Sequence, residues 1–164
     1  PILIEIQALV DKSMLPNPKR LTVGTDAQRL TMLLAILHRH VTLSTYDQDV
    51  FLNAVGGIKI SETASDLAVL IAIVSSMTNQ AVSSKTAIFG EVGLGGEIRP
   101  VSRGQERIKE ASKLGFTRII VPLKNKAADI PDVEIIGVDN LRDAVKVVFG
   151  SNRVNHDDQV YPDE

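Results

Sequence analysis

Ser65 is the residue whose type and position best fit nucleophilic chemistry. It stands where a predicted buried helix begins, and the free backbone N–H groups at a helix N-terminus stabilise an oxyanion. Thr63 and Asp66 flank it three residues apart, which is the spacing of an ordinary capping box. The residues leave two interpretations of this loop, a nucleophile or a helix cap, and the cap is the simpler one.

A glycine-rich turn is the second candidate. Backbone N–H groups in the stretch Gly90-Glu91-Val92-Gly93-Leu94-Gly95-Gly96 have the character of a phosphate cradle. The stretch matches neither GxxxxGK[ST] nor GxGxxG, and Glu91 and Glu97 would repel a phosphate. We therefore expect a hairpin turn, and no nucleotide site.

The trio His38, Arg39 and His40 closes the first predicted helix. Cations in a last turn interact favourably with the helix dipole, whereas a metal site needs more ligands than two histidines. The chain has no Cys, which excludes disulfides, thiolate metal sites and cysteine catalysis. We expect this domain to bind no metal and no cofactor.

Alternating strands and helices must position these residues, and this alternation predicts an α/β (α+β) fold. Thr25 and Gln28 have capping-box spacing before the first helix. Gly115 is a natural C-cap for the third. We expect strands near residues 2–10, 21–23, 49–55, 58–60, 87–89, 97–99, 118–121 and 133–138, and helices near 30–41, 67–78, 103–114 and 141–149.

Composition limits the possible partners. With 164 residues, 44% hydrophobic and 23% charged, the chain has the makeup of one globular domain. Its net charge of −2 means that any nucleic-acid surface must be a local patch. No apolar run approaches the roughly 18 residues that span a bilayer, and the first residues do not have the basic segment followed by an apolar stretch that is typical of a signal peptide. We expect a cytoplasmic protein with no membrane partner.

The chain has two predicted parts. Residues 1–150 carry all the periodic segments and form the domain. Residues 151–164 are polar, contain Asp157, Asp158, Asp163 and Glu164, and are expected to be a disordered acidic tail. Because the first residue is Pro1 and not Met, we expect that further domains precede this one in a longer parent.

Residues 51–124 resemble the proteolytic domain of Lon-type serine/lysine proteases. That resemblance implies a fold of the ribosomal protein S5 domain 2-like type. It is carried by Val74-Ser75-Ser76-Met77-Thr78 at a helix end, Gly90-Glu91-Val92, Gly96-Glu97-Ile98-Arg99-Pro100-Val101, and Ile119-Ile120-Val121-Pro122 followed by Lys124-Asn125.

The resemblance also implies positions for a catalytic dyad, and neither holds its residue. Counting back from Val74 puts the nucleophile at Ala64, and counting on from Pro100 puts the lysine at Gln105. Ser65 is one position late, a shift of about 100° around a helix. An amide cannot take the serine proton as a neutral lysine does. We expect no protease activity; the alternative is an active peptidase in which Ser65 acts with Lys109 or Lys59.

A longer resemblance is to the C-terminal Lon-like domain of the RadA (Sms) family of bacterial recombination and repair proteins. It covers nearly the whole chain and begins with Pro1-Ile2-Leu3-Ile4-Glu5-Ile6-Gln7-Ala8-Leu9-Val10. It continues through residues 29–30, 32–40, 47–51, 55–57, 89–94, 96–101 and 104–107.

This family resemblance implies a function. The domain would be a hexamer-forming scaffold and DNA contact of an ATP-driven motor that moves on single-stranded DNA and extends branches. ATP, Mg²⁺ and zinc would belong to a RecA-like ATPase domain and a zinc finger upstream. The implied partners are DNA, further copies of the chain, the ATPase domain and a recombinase, and the implied location is the cytoplasm at the nucleoid.

Exposed Arg and Lys are the candidates for DNA contact, because phosphate contacts dominate affinity. Each of them alone is also compatible with an ordinary solvated surface charge. A pure oligomerisation module without DNA contact therefore stays open as a further alternative. The candidates are Lys19, Arg20, Arg29, Arg39, Arg103, Arg107, Lys113 and Arg118.

Overall fold

A computed structural model describes residues 2–57, 59–60, 62–126 and 128–150; the predicted tail, 151–164, lies outside the described residues. The first half contains strands β1 (Ile6–Lys12), β2 (Arg20–Val23) and β3 (Gln48–Ala54), with helices α1 (Ala27–Val41) and α2 (Asp66–Thr78). The second half contains strands β4 (Thr86–Ile88), β5 (Glu91–Val92), β6 (Ile98–Arg99), β7 (Arg118–Pro122) and β8 (Glu134–Val138), with helices α3 (Gly104–Lys113) and α4 (Leu141–Phe149). Short 3₁₀ helices occupy Thr63–Ser65 and Leu123–Asn125.

The first sheet has the order β1-β3-β2, with β3 antiparallel to β1 and parallel to β2. Alternate residues of β3 are buried: Val50, Leu52 and Ala54 point inward onto α1 and α2. The opening strand begins at Ile6 and not at Ile2, so that part of the prediction was four residues too long.

The second sheet has the order β4-β7-β8, and all its pairs are parallel. The central strand β7 is buried on both faces, as parallel strands usually are. Ile120 packs with α1, α2 and α4, whereas Ile119 and Val121 pack with Ile108 of α3 on the opposite face. The layers therefore run first sheet, α1 and α2, second sheet, α3, and the predicted α/β class is confirmed.

Helix α1 begins at a different cap from the one predicted. Asp26, and not Thr25, accepts a hydrogen bond from the backbone N–H of Gln28. The predicted basic last turn is confirmed, because α1 ends at Val41 directly after His38, Arg39 and His40. Thr25 was therefore the wrong residue at this helix start.

The glycine-rich turn is a hairpin, as predicted, but its first strand is β5 and not residues 87–89. Gly93 N–H donates to the Glu97 carbonyl at 2.9 Å, and Gly96 N–H donates to the Gly93 carbonyl at 2.9 Å. Residues 86–88 instead form β4 and pair with β7. Among the described residues, no helix combines the length and apolar character needed to cross a membrane.

Candidate functional site

Ala64 lies in the 3₁₀ helix that leads into α2, and it is buried. Its carbonyl accepts a hydrogen bond from Gly90 N–H at 2.8 Å, which ties this segment to the start of the β5–β6 hairpin. A methyl side chain has no nucleophilic atom. The position to which the Lon resemblance assigns the nucleophile therefore supplies packing.

Gln105 lies exposed in the first turn of α3. Its Nε2 donates to the Asn125 carbonyl at 3.1 Å. The Asn125 side chain in turn accepts from Val101 N–H at 2.8 Å and donates to the Val101 carbonyl at 3.1 Å. The amide at the lysine position therefore joins α3 to the 3₁₀ helix after β7, and it has no proton-accepting nitrogen.

Ser65 donates its hydroxyl hydrogen to the Glu62 carbonyl at 3.0 Å. It lines two cavities. A small one, of about 130 Å³, lies between residues 2–6, β4 and α3 and includes Arg107 and Glu110. A larger one, of about 430 Å³, includes Lys59, Arg29 and Asp66. Lys109 is exposed and lines neither cavity among the described residues, whereas Lys59 shares the larger cavity with Ser65.

Arg107 crosses from α3 to the segment before α2. Its guanidinium pairs with Glu62 at 3.1 Å, and its Nε donates to the Ser102 carbonyl at 3.0 Å. We predicted a solvent-facing side chain, but only 19% of it is exposed. The ion pair therefore lies at the rim of the small cavity that Ala64 and Ser65 line.

Asp66 is a buried charged side chain whose partners the sequence patterns did not predict. It is 2% exposed, and its carboxylate accepts from Arg29 Nε at 3.1 Å, from Arg29 Nη2 and from Val92 N–H at 3.0 Å. Arg29 also donates to the Val92 carbonyl at 3.2 Å. The hydrogen bond from Arg29 to Asp66 raises the pKa of the guanidinium, against the opposing effect of its partial burial.

The prediction that Thr63 and Asp66 form a capping box was wrong, because both side chains bond residues elsewhere in the fold. Thr63 donates its hydroxyl hydrogen to Glu91 Oε2 at 2.6 Å, and Asp66 is committed to Arg29 and Val92. Ser65 stands at the N-cap position of α2 without a side-chain capping bond. Partners far away in sequence therefore replace the local pair that the spacing indicated.

Most of the candidate DNA-binding cations have protein partners. Arg20 donates to the Gln48 and Thr45 carbonyls, the latter at 2.7 Å. Arg118 donates to the Val147 carbonyl at 2.7 Å and lies 3.7 Å from Glu134. Arg103 bonds Glu106; this contact raises the pKa of Arg103 and lowers that of Glu106.

The remaining candidates are Lys19, Arg39 and Lys113, which are exposed. Their side chains form no hydrogen bond or ion pair with other residues in the described ranges. Lys19 directly precedes β2, and Arg39 lies in the last turn of α1, the helix that contacts β2. Lys113 lies at the end of α3, beside the second sheet. The candidates are thus spread over several places.

The end of α1 has further contacts that the sequence did not indicate. His40 Nε2 lies 2.8 Å from the Leu94 carbonyl, and Arg142 of α4 donates to the His40 carbonyl at 3.3 Å. Among the residues that the structure describes, no group of three or more His, Cys, Asp and Glu side chains could hold a metal ion. His40 therefore links the β5–β6 hairpin and α4 to the end of α1.

Comparison with known sequences gives one family match. Residues 31–125 match the family described as subunit ChlI of Mg-chelatase. The sequence patterns did not predict a match to this family. The matched segment covers more than half of the chain and runs from within α1 to the 3₁₀ helix after β7.

Curated relatives carry the name DNA repair protein RadA. The chain is 55% identical over 150 residues to the one from Pseudomonas aeruginosa, which is 91% of this chain and 33% of that protein. It is 55% identical over 148 residues to the one from Escherichia coli, 90% and 32% of the two lengths. The relative from Bacillus subtilis is 42% identical over 152 residues, 92% and 33%.

The chain thus spans about a third of the length of the relatives that it matches. The predicted resemblance to RadA is confirmed. The chain belongs to the family described as subunit ChlI of Mg-chelatase, is a homologue of the DNA repair proteins named RadA, and fits their C-terminal domain.

Proposed function

We propose that this chain is the non-proteolytic, Lon-like scaffold and DNA-contacting domain of a RadA-type motor in DNA recombination and repair. The observation that carries the proposal is the 55% identity over nine tenths of the chain to proteins named DNA repair protein RadA. Residues 1–150 form the Lon-like domain and assemble as a hexameric ring. Residues 151–164 are an acidic tail.

The Lon-like assignment rests on motif strings whose places in the fold fit one another. Val74-Ser75-Ser76-Met77-Thr78 ends α2, and Gly90-Glu91-Val92 and Ile98-Arg99 form the hairpin against the start of that helix. Ile119-Ile120-Val121-Pro122 is the central strand of the second sheet. The segment that would carry the nucleophile precedes α2, and the one that would carry the lysine begins α3.

Two observations support the absence of proteolysis. Ala64 has no nucleophilic atom, and the Gln105 amide is bonded to the Asn125 carbonyl. The competing peptidase reading, Ser65 with Lys59, has the shared larger cavity in its favour. Against it, the Ser65 hydroxyl hydrogen is already donated to the Glu62 carbonyl, and no base accepts it.

DNA contact is proposed first for Lys19 and Arg39, and second for Lys113. A cation whose side chain has no protein partner can pair with a phosphate without first breaking another bond, so these side chains lose least on binding. Arg20, Arg29, Arg103, Arg107 and Arg118 have partners to lose. ATP, Mg²⁺ and zinc are assigned to other domains of the parent, which acts in the cytoplasm with DNA and a recombinase.

Size-exclusion chromatography with light scattering, run beside a gel shift at low and moderate salt, tests this proposal. A scaffold with DNA contact gives an oligomer and a salt-sensitive shift of single-stranded or branched DNA. An oligomer without any shift at low salt would replace the proposal by a pure oligomerisation module. Cleavage of casein that is lost in Ser65→Ala would replace it by the peptidase.

A further inference from the structure

The outer face of the first sheet is apolar where water would favour polar residues. We call the side chains of Leu9, Leu21, Val23 and Phe51 the apolar strip. Leu9, Leu21 and Val23 are 58%, 56% and 55% exposed. Leu9 pairs with Phe51, and Phe51 pairs with Leu21, so one unbroken row crosses all three strands. A solvated sheet face normally alternates to polar residues.

No described element covers this strip. Helices α1 and α2 pack on the opposite face, through Val10, Val50 and Leu52. A shallow cavity of about 470 Å³ lies over the outer face and is lined by strip residues together with Gln7 and Asn53. A contiguous exposed apolar patch of this kind is the usual mark of an interaction surface.

Carboxylates border the strip at both ends. Asp11 stands opposite Asp49 across β1 and β3, two pairs beyond the Leu9–Phe51 pair and therefore on the same face. Glu5 lies at the other end, where its carboxylate accepts from Gln7 Nε2 at 3.3 Å. The backbone N–H of Lys19 donates to Asp49 Oδ1 at 2.6 Å, so this carboxylate already accepts one hydrogen bond. The strip therefore suits an apolar partner surface with cations around it.

The same chain presents such a surface elsewhere. We call Leu123, Lys124, Lys126 and Lys146 the basic ridge. Leu123 is 52% exposed and sits over Gly137, where an added Cβ would come within 2.8 Å of Leu123 Cδ1. The side chains of the three lysines are exposed and form no hydrogen bond or ion pair with other described residues. A groove of about 410 Å³, lined by Leu123, Lys146 and Val147, runs beside the ridge. Two carboxylates also line it, Asp139 and Asp143, and both accept hydrogen bonds from Asn140 Nδ2.

The strip and the ridge belong to different parts of the fold. The strip is on the first sheet, and the ridge lies on the 3₁₀ helix after β7 and on α4. Two strips facing each other would oppose carboxylate to carboxylate, which disfavours a symmetric dimer. A contact between two different faces repeats from copy to copy and closes a ring when the rotation allows.

We propose that the apolar strip of one copy packs on the basic ridge of the next copy. This inference rests on the proposed ring and names the surfaces that form it. The apolar strip alone is smaller than the roughly 800 Å² per partner of a standard interface. Stability therefore comes from closing the ring, in which every copy makes the contact twice.

The test measures the molar mass of this chain by light scattering over a dilution series. Leu21→Lys and the double variant Lys124→Glu/Lys126→Glu each put like charges into the contact: a cation against the ridge lysines, or carboxylates against those that border the strip. Each should raise the dissociation constant at least tenfold. Leu94→Lys and Lys85→Glu make the same changes at exposed residues outside both surfaces and should leave the constant unchanged. Circular dichroism checks that all four variants stay folded.

The outcomes separate this inference from the proposed function. A wild-type chain that is monomeric at every concentration overturns both the ring and this contact. An oligomeric wild type with Leu21→Lys unaffected leaves the ring standing and overturns the apolar strip as its surface. If only Leu21→Lys dissociates the oligomer, the basic ridge is the wrong partner and the inference fails.

Discussion

Arg29 and Asp66, 37 residues apart in sequence, form an ion pair that joins three elements. Arg29 belongs to α1 and Asp66 begins α2, and both bond the backbone of Val92 in the β5–β6 hairpin. Asp66 is almost fully buried, whereas Arg29 retains contact with water. Removing the cation alone would leave a buried carboxylate without its counter-charge.

We therefore predict that Arg29→Met lowers the free energy of unfolding by about 3 kcal/mol. Asp66→Asn keeps an acceptor for Val92 N–H and should cost less, about 1–2 kcal/mol. The double variant should lose less than the sum, because neither partner is left alone. Urea unfolding followed by circular dichroism measures these values. Arg103→Met, which breaks an exposed ion pair, is the control and should change little; additive costs would contradict the coupling.

We predict that replacing Gly96 in the β5–β6 hairpin lowers the free energy of unfolding. Its φ is +77°, and an added Cβ would come within 2.8 Å of His40 Cγ. Gly96→Ala should cost about 1–3 kcal/mol, from backbone strain and displacement of the histidine. Gly95→Ala is the matched control, because its Cβ meets only the movable end of Glu97. An equal drop in melting temperature for both variants would contradict the prediction that strain and the contact with His40 disfavour a side chain at position 96.

Ser65 is predicted to be chemically ordinary. Since its hydroxyl hydrogen is donated to the Glu62 carbonyl, Ser65→Ala should cost about 1 kcal/mol or less and change no activity. A fluorophosphonate probe, which labels activated serines, should leave the chain unlabelled under conditions that label a control serine protease. Labelling lost on Ser65→Ala but retained in Ser76→Ala would revive the peptidase reading.

Lys19 and Arg39 are predicted to contact phosphates together. Replacing both by Gln should weaken DNA binding and reduce the slope of log affinity against log salt by about 1–2, as two phosphate contacts are lost. Lys109→Gln removes another exposed, unpaired cation from α3 and should leave the slope unchanged. Fluorescence anisotropy over a salt titration measures this. An unchanged slope in the double variant would remove these two residues from the interface.

Local patterns predicted the helices well, because α1, α3 and α4 each bury a periodic apolar face and α2 is apolar on most sides. Helix α4 has the expected bounds; α1 ends at Val41 as expected but begins three residues early, at Ala27. The buried central strand β7 was readable as a short β-branched run. What failed depended on distant partners: Thr63 bonds Glu91, and Asp66 bonds Arg29, although the two residues have the spacing of a local cap.

The candidate cations illustrate the same limit. Residue type marks Arg20, Arg107 and Arg118 as possible phosphate contacts, but only the folded chain brings the carbonyls of Thr45, Ser102 and Val147 to their guanidinium groups. The sequence did not predict the exposed apolar strip either. Which of the two faces of β1 and β3 meets the helices depends on tertiary packing, and the outer residues are apolar as well.

Two contacts at the start of α3 bear on whether protease activity could be introduced into this fold. Arg107 forms an ion pair with Glu62, which precedes α2, and Gln105 donates a hydrogen bond to the Asn125 carbonyl, which follows β7. Gln105→Lys would itself remove the bond to Asn125. Ala64→Ser would put a hydroxyl beside a small cavity whose rim the Arg107–Glu62 ion pair still occupies. The double variant would therefore have to lose that ion pair before a substrate could reach the new serine.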